Sequence, residues 1–199
     1  MNLLLTDIVF CTIIDDKTMI KGGFIMIMSK TVKQVVDNYI VITDKYSRNN
    51  ISKNYKVLDK KYFADVDGNI YKVDGKYVVL DYSIREKEIA KWLANTLGGT
   101  VYMIPRVNEP INIQTPDYLF KGEHWDLKEI FGDSKQVIYH AINRKKYQSN
   151  NFIFDISNSN LSFDMAQQQI IKLYNRKDTL FLNKVILKNG EKYIIYKRK

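Results

Sequence analysis

The stretch "TPDYLFKGEHWDLKEI", residues 115–130, decides how this chain is read. Lys121-Gly122 between two aromatic and aliphatic runs predicts a two-residue hairpin turn. Pairing about that turn sets Phe120 opposite Glu123, Leu119 opposite His124, Tyr118 opposite Trp125 and Asp117 opposite Asp126. Directly opposed residues on one face of an antiparallel pair have Cβ atoms about 4.5–5.5 Å apart, and like charges at that distance destabilise a sheet unless a cation lies between them. Lys128, two residues beyond Asp126, returns to the same face. Two readings stand. In one, a divalent cation such as Mg²⁺ or Mn²⁺ sits between the carboxylates, and the Lys128 ammonium orients a water or stabilises charge building on a phosphate. In the other, the hairpin carries Asp, Asp and Lys on a solvated face, with Lys128 offsetting the repulsion. The apolar flanks "YLF" and "WDL", and the helix, strand and helix that follow, favour a central place in a sheet.

The elements on either side supply the context. "SIREKEIAKWLANTLGG" (83–99) predicts a helix: Ser83 caps it, Glu86 completes a capping box and Gly98-Gly99 stops it. Ile89, Trp92, Leu93, Thr96 and Leu97 mark its buried face. "TVYMI" is a strand, and Pro105 and Pro110 belong to a loop. After the hairpin come a helix in "SKQVIYHAINRKKYQ", a strand "NFIFDIS", a helix "SFDMAQQQIIKLYNR", and strands "KVILK" and "KYIIYK" joined by Asn189-Gly190. From Ile84 to Ser157 the order is therefore helix, strand, strand, strand, helix, strand.

Upstream, "KKYFADVDGNIYKVDGKYVVLDYS" (60–83) holds Asp67-Gly68 and Asp74-Gly75 between β-forming runs, predicting a three-stranded antiparallel meander. "DVDGN" lacks the remaining ligands and closing glutamate of an EF-hand loop, so it reads as turn chemistry. Residues 1–55 show short apolar runs, "IVFCTII", "GGFIMIM" and "NYIVITD", with a helix in "SKTVKQVVDNY", and read as a small β-rich region. The polar "NISKN" (50–54) is the expected boundary with a domain over 56–199.

Composition limits the functional classes. A chain of 199 residues, 45% hydrophobic, buries a real core, and 31 Lys+Arg against 22 Asp+Glu leave a formal charge of +9. Such an excess favours polyanionic partners, nucleic acid first, through counterion release. The single Cys11 excludes an intramolecular disulfide and a cysteine-based zinc cluster. "MNLLLTDIVFCTII" lacks a basic n-region and is interrupted by Asp7, and no apolar run approaches the roughly 20 residues of a membrane span. The expectation is a protein of the cytoplasm, or one carried into a target cell by other machinery. No P-loop, dinucleotide fingerprint or Ser/His/Asp arrangement appears. "NRKKYQ" (143–148) interleaves positive charge with an aromatic ring, so Lys135, Arg144, Lys145 and Lys146 are candidate nucleic-acid contacts, against a plain solvated helix face. His124 shares Asp126's face by alternation, and His140 falls in a helix.

Pro116-Asp117, eight residues, then Asp126-Leu127-Lys128, inside that element order, resembles the PD-(D/E)XK nuclease superfamily. More widely, "EKEIAKWLANTLGG" through "TPDYLFKGEHWDLKEI" to "YQSNNFIFDIS" resembles the C-terminal tRNase toxin domains of contact-dependent inhibition CdiA proteins and related phage or mobile-element proteins, over about residues 60–199. The resemblance implies an α/β (α+β) fold with a mixed central sheet flanked by helices, and a metal-dependent endonuclease that hydrolyses phosphodiester bonds, RNA and among RNAs tRNA preferred. It implies Asp117 and Asp126 as metal ligands and Lys128 as the motif lysine. It adds a glutamate from the first helix, Glu86 rather than Glu88 because Glu86 lies nearer the centre of the apolar face, in competition with its role in the capping box. Gln148 matches a glutamine that touches metal-bound water or substrate in some branches. A toxin role and a neutralising immunity protein follow from the same resemblance. The alternatives are a DNA endonuclease of a phage or mobile element, and a non-catalytic nucleic-acid-binding or assembly protein that keeps the fold.

Overall fold

A computed structural model describes residues 38–48, 56–143 and 148–199. The chain divides into two compact units, Met1–Val35 and Val36–Lys199, and every described residue belongs to the second. The strands expected in "IVFCTII" and "GGFIMIM", most of the "SKTVKQVVDNY" helix, and the basic residues Arg144, Lys145 and Lys146 lie outside the described residues.

The fold is a mixed α+β arrangement, a large mixed sheet flanked by helices. In chain order the elements are β1 (Tyr39–Val41), α1 (Thr43–Arg48), β2 (Lys56–Asp59), β3 (Tyr62–Ala64), β4 (Ile70–Lys72), β5 (Val78–Val79), α2 (Ile84–Leu97), β6 (Thr100–Met103), β7 (Arg106–Val107), β8 (Tyr118–Phe120), β9 (Glu123–Glu129), α3 (Val137–Asn143), β10 (Asn151–Asp155), α4 (Phe163–Tyr174), a 3₁₀ turn (Lys177–Thr179), β11 (Lys184–Asn189) and β12 (Lys192–Arg198). Eight strands form one sheet in the order β1-β12-β11-β10-β9-β8-β6-β2. β9, β10 and β11 are mutually parallel, as are β2 and β6, and the remaining neighbours are antiparallel.

β10 shows why the sheet needs helices on both sides. All five of its residues are buried, the pattern of a central parallel strand covered on each face. Ile153 packs with Ile89, Leu93 and Leu97 of α2, together with Trp125, Leu127, Ile186 and Ile195. Phe152 and Phe154 pack on the other face with Ile138 and Ile142 of α3 and Ile170 and Leu173 of α4. Each helix presents a stripe spaced three and four residues apart. α2 starts where Ser83 accepts a hydrogen bond from the N–H of Glu86 and the Glu86 carboxylate accepts one from the N–H of Ser83, the full capping box. Ser162 caps α4 in the simpler way, accepting from the N–H of Met165.

Two expectations change. β1 pairs antiparallel with β12, Tyr39 opposite Arg198, and the Tyr39 ring stacks on Tyr174 with centroids 5.7 Å apart. A boundary at residues 50–54 would therefore cut β1 from the sheet to which it belongs. The meander is also not three consecutive strands. β3 and β4 form a hairpin, but β5 pairs with β7, 28 residues downstream by the Val78–Arg106 offset between their first residues, rather than with β4. Asp74 closes the intervening turn, its Oδ1 accepting from the N–H groups of Lys76, Tyr77 and Val78 at 2.8–2.9 Å.

Candidate active site

The hairpin that opens the site has three of the four expected pairs: Tyr118 faces Trp125, Leu119 faces His124 and Phe120 faces Glu123, while Asp117 lies beyond the ladder and is not paired with Asp126 in it. Lys121 and Gly122 both have positive φ, 50° and 76°, the backbone of a type I′ two-residue turn. The strained φ of Lys121 is offset by its ammonium, which donates to the carbonyls of Leu97 (2.8 Å) and Tyr46 (3.1 Å) and so caps the end of α2.

One residue beyond the paired segment, Asp117 donates its N–H to the Trp125 carbonyl (3.1 Å), and its own carbonyl accepts from Ile104 (3.0 Å). Its Oδ2 accepts from the N–H of Leu127 at 2.6 Å, which holds the carboxyl against β9 beside Asp126. Along β9, Trp125 and Leu127 enter the core under α2, so alternation turns Asp126 and Lys128 to the opposite face, in register with Phe152 and Phe154 of β10. The Asp126 side chain is 2% exposed and that of Lys128 16%, and Lys128 Nζ is ion-paired with Asp126 Oδ2.

Burial pushes the Asp117 carboxyl well above the usual carboxylate range, and the Asp126 charge pushes it further, against the opposing pull of the Leu127 N–H. The cause is two carboxyls side by side, whose mutual repulsion the Lys128 ammonium offsets only in part. Tyr118 supports the cluster from the core side, donating to the Glu86 carbonyl at 2.9 Å.

Asp117, Asp126 and Lys128 line one cavity of about 440 Å³, together with Glu86, Arg106, Gln114, Glu129 and Gln148. Glu86, from the first turn of α2, therefore shares the cavity with the aspartates. Both its oxygens are engaged: Oε2 accepts from Ser83 N–H (2.6 Å) and Oε1 from Arg106 Nη2 (2.7 Å). Glu88 lies outside, 54% exposed and paired with Arg85. Gln148 reaches toward the Thr115 carbonyl at 3.5 Å, and its buried Oε1 has no hydrogen-bond partner. Lys135 is exposed ahead of α3 and does not line the cavity. His124 is exposed beside Phe63 and lines neighbouring cavities instead.

Arg106 and Glu129 were not legible as site residues. Arg106 lies in a Pro-flanked loop without a motif, and its meeting with Glu86 is tertiary. Glu129 ends the "DLKE" run, and alternation places it away from Lys128. Its carboxyl is raised by burial and by Asp155, Glu86 and Glu88, with Arg85 opposing.

Among the described residues no group of three or more His, Cys, Asp or Glu side chains is gathered as a metal site. Two adjacent hard-oxygen donors, Asp117 and Asp126, nonetheless fit a Mg²⁺-type ion, which commonly takes one or two carboxylates and fills its other positions with water and phosphate. The mutual repulsion of the pair is the feature such an ion would relieve.

Residues 114–193 match the family model of the contact-dependent growth inhibition CdiA C-terminal domain. The matched segment contains Asp117, Asp126, Lys128 and Gln148 and begins after α2. A solved CdiA-CT/CdiI toxin and immunity complex from Burkholderia pseudomallei is similar to this chain at 24% sequence identity, over 71% of this chain and 98% of that one, with a TM-score of 0.48. No curated protein matches the chain. Among the described residues no helix is long and apolar enough to cross a membrane.

Proposed function

We propose that the chain is a metal-dependent endonuclease of PD-(D/E)XK type that hydrolyses phosphodiester bonds, RNA and tRNA in particular, and acts as a growth-inhibiting toxin. The observation that carries this reading is the contact geometry of three side chains: Asp117 held on β9 by the Leu127 N–H, Asp126 buried beside it, and Lys128 paired with Asp126. A plain solvated hairpin would leave these groups exposed, whereas a buried Asp126 with a partly buried Asp117 beside it costs stability and asks for a chemical use.

A divalent cation held by Asp117 and Asp126 would polarise the scissile phosphate and lower the pKa of bound water. The chain's own residues do the rest. Lys128 brings a fixed ammonium to the edge of the carboxylate pair, where it can orient a nucleophilic water or stabilise charge on a phosphoryl oxygen. Arg106, 45% exposed beside Glu86, offers a second cation to a substrate phosphate. Glu86 would add a third carboxylate once Arg106 turns to substrate.

The match of residues 114–193 to a growth-inhibition domain supports the toxin role and delivery into a target cell, and an immunity protein as the neutralising partner rests on the sequence resemblance. The preference for RNA rests on the sequence resemblance. The test is incubation of wild type and Asp126→Ala with total RNA and with plasmid, with Mg²⁺ or Mn²⁺ and with EDTA. Cleavage by the metal-loaded wild type, abolished by EDTA and by Asp126→Ala, is expected. Plasmid nicking with intact RNA would reassign the substrate to DNA. Absence of cleavage of either polymer would leave a non-catalytic nucleic-acid-binding protein.

A further inference from the structure

The cavity at Asp117 and Asp126 continues past the carboxylates. Ile113, Gln114, Pro116 and Gln148 line both it and a second cavity of about 560 Å³, which opens between the β3–β4 hairpin and β9. The far wall of the second cavity is Phe63, with His124 and Val66 beside it. Its volume falls within the roughly 300–1,000 Å³ of small-ligand sites.

The walls suit a flat, neutral, heteroaromatic group. Phe63 is buried, its ring 6.4 Å from His124 and stacked on Tyr71 at 6.3 Å. Tyr71 is tied by its hydroxyl to Asp65 (3.1 Å), and Asp65 closes the hairpin turn by accepting from the N–H groups of Asp67 and Asn69. The aromatic wall therefore stands on an organised turn. Three amide side chains, Asn112, Gln114 and Gln148, also line the cavity, and among them Gln148 has a buried Oε1 that lacks a partner. Asp65 and Asp67 also line the cavity, and their charge disfavours a phosphate there while leaving a neutral base unaffected.

We propose that this second cavity receives an unpaired nucleobase adjacent to the phosphodiester bond at Asp117 and Asp126. Stacking on the Phe63 side and hydrogen bonding to the Gln148 amide would hold it. The proposal rests on the nuclease reading of the first cavity and deepens it: the substrate is a single strand, loop or end whose bases can splay, because a base inside a closed duplex must first be unstacked and unpaired. Stacking platforms of this kind tolerate many bases, and an amide adds preference among them.

The test uses fluorescent oligoribonucleotides in three forms: a single strand, the same strand in a blunt duplex, and single strands with one abasic nucleotide on either side of the mapped cleavage point. Affinity for the full-length wild-type protein is read in EDTA, and cleavage is read separately with Mg²⁺. If wild type cleaves no strand, abasic sites are scanned along the oligonucleotide for affinity alone. Expected is at least tenfold weaker binding of the duplex, and of the single strand abasic at one flanking position. Gln148→Met and Phe63→Ala should weaken the intact strand but not that abasic strand. Equal affinity for intact and abasic strands, or for strand and duplex, overturns the inference, and leaves the cavity to another occupant. Binding with the expected base dependence but no cleavage would remove the nuclease reading and keep the base pocket. Cleavage indifferent to the flanking base would do the reverse, and absence of all binding removes both.

Discussion

Lys128 is ion-paired through Nζ with Oδ2 of Asp126, two residues earlier on β9, on the face opposite core-facing Trp125 and Leu127. The strand's alternation makes this pair: the same backbone that buries two large apolar side chains lifts a carboxylate and an ammonium to the other side. Removing one member of a nearly buried pair leaves the other charge unmatched, which typically costs about 3–5 kcal/mol. Lys128→Met should therefore lower stability in urea unfolding by a few kcal/mol and abolish cleavage. Asp126→Asn should abolish cleavage while costing less, since its amide still fits the site.

Asp117 sets a pH dependence whose sign follows from its raised carboxyl. In the unfolded chain it ionises near pH 4, and in the fold only at higher pH. Between those values the folded state binds more protons, so stability falls as pH rises. Stability is full below about pH 4 with respect to this group, and declines until the folded carboxyl has ionised. Urea unfolding across this window should show the decline in wild type without divalent cation and a flatter profile in Asp117→Asn. Added Mg²⁺ should raise the midpoint of wild type most at the alkaline end, and an unchanged midpoint there would count against a metal at the pair.

Glu86 carries two roles that one substitution can separate. Its Oε2 closes the capping box on Ser83 and its Oε1 holds Arg106. Glu86→Gln keeps an acceptor for the Ser83 N–H but removes the charge. Tm should stay within a few degrees of wild type while cleavage falls at least tenfold. Cleavage equal to wild type would confine Glu86 to the helix cap. Ser83→Ala, by contrast, should cost about 1 kcal/mol through the lost N-cap, with cleavage per folded molecule unchanged.

The turn at Lys121-Gly122 makes a prediction about stability alone. Gly122 has φ 76° with open space around a would-be Cβ, so the penalty of a side chain is conformational rather than steric. Gly122→Ala should destabilise by about 1–2 kcal/mol, the cost of a left-handed L-residue. Thermal melts should show the loss, and cleavage below the melting range should be retained, because Asp117 and Asp126 lie at the far end of the hairpin.

Sequence by itself determined the local architecture. The Ser83–Glu86 capping box, the I′ turn at Lys121-Gly122, the hairpin register and the alternation that sets Lys128 with Asp126 all follow from contacts within about ten residues. Side-chain period and turn chemistry decide such contacts before any other part of the chain is placed. Tertiary structure decided the rest. β1 was placed beside β12 across the whole described chain, and β5 beside β7 instead of β4. The Glu86–Arg106 pair and the joining of the two cavities through Gln148 likewise depend on packing between distant segments. Their physical reason is shared: which strands become neighbours, and how dry a carboxyl becomes, depend on the packing of both sheet faces under α2 and under α3 with α4. No single segment encodes that sum of burial, so the aspartate pair was readable as a pattern, while its burial and its charged and aromatic surroundings were not.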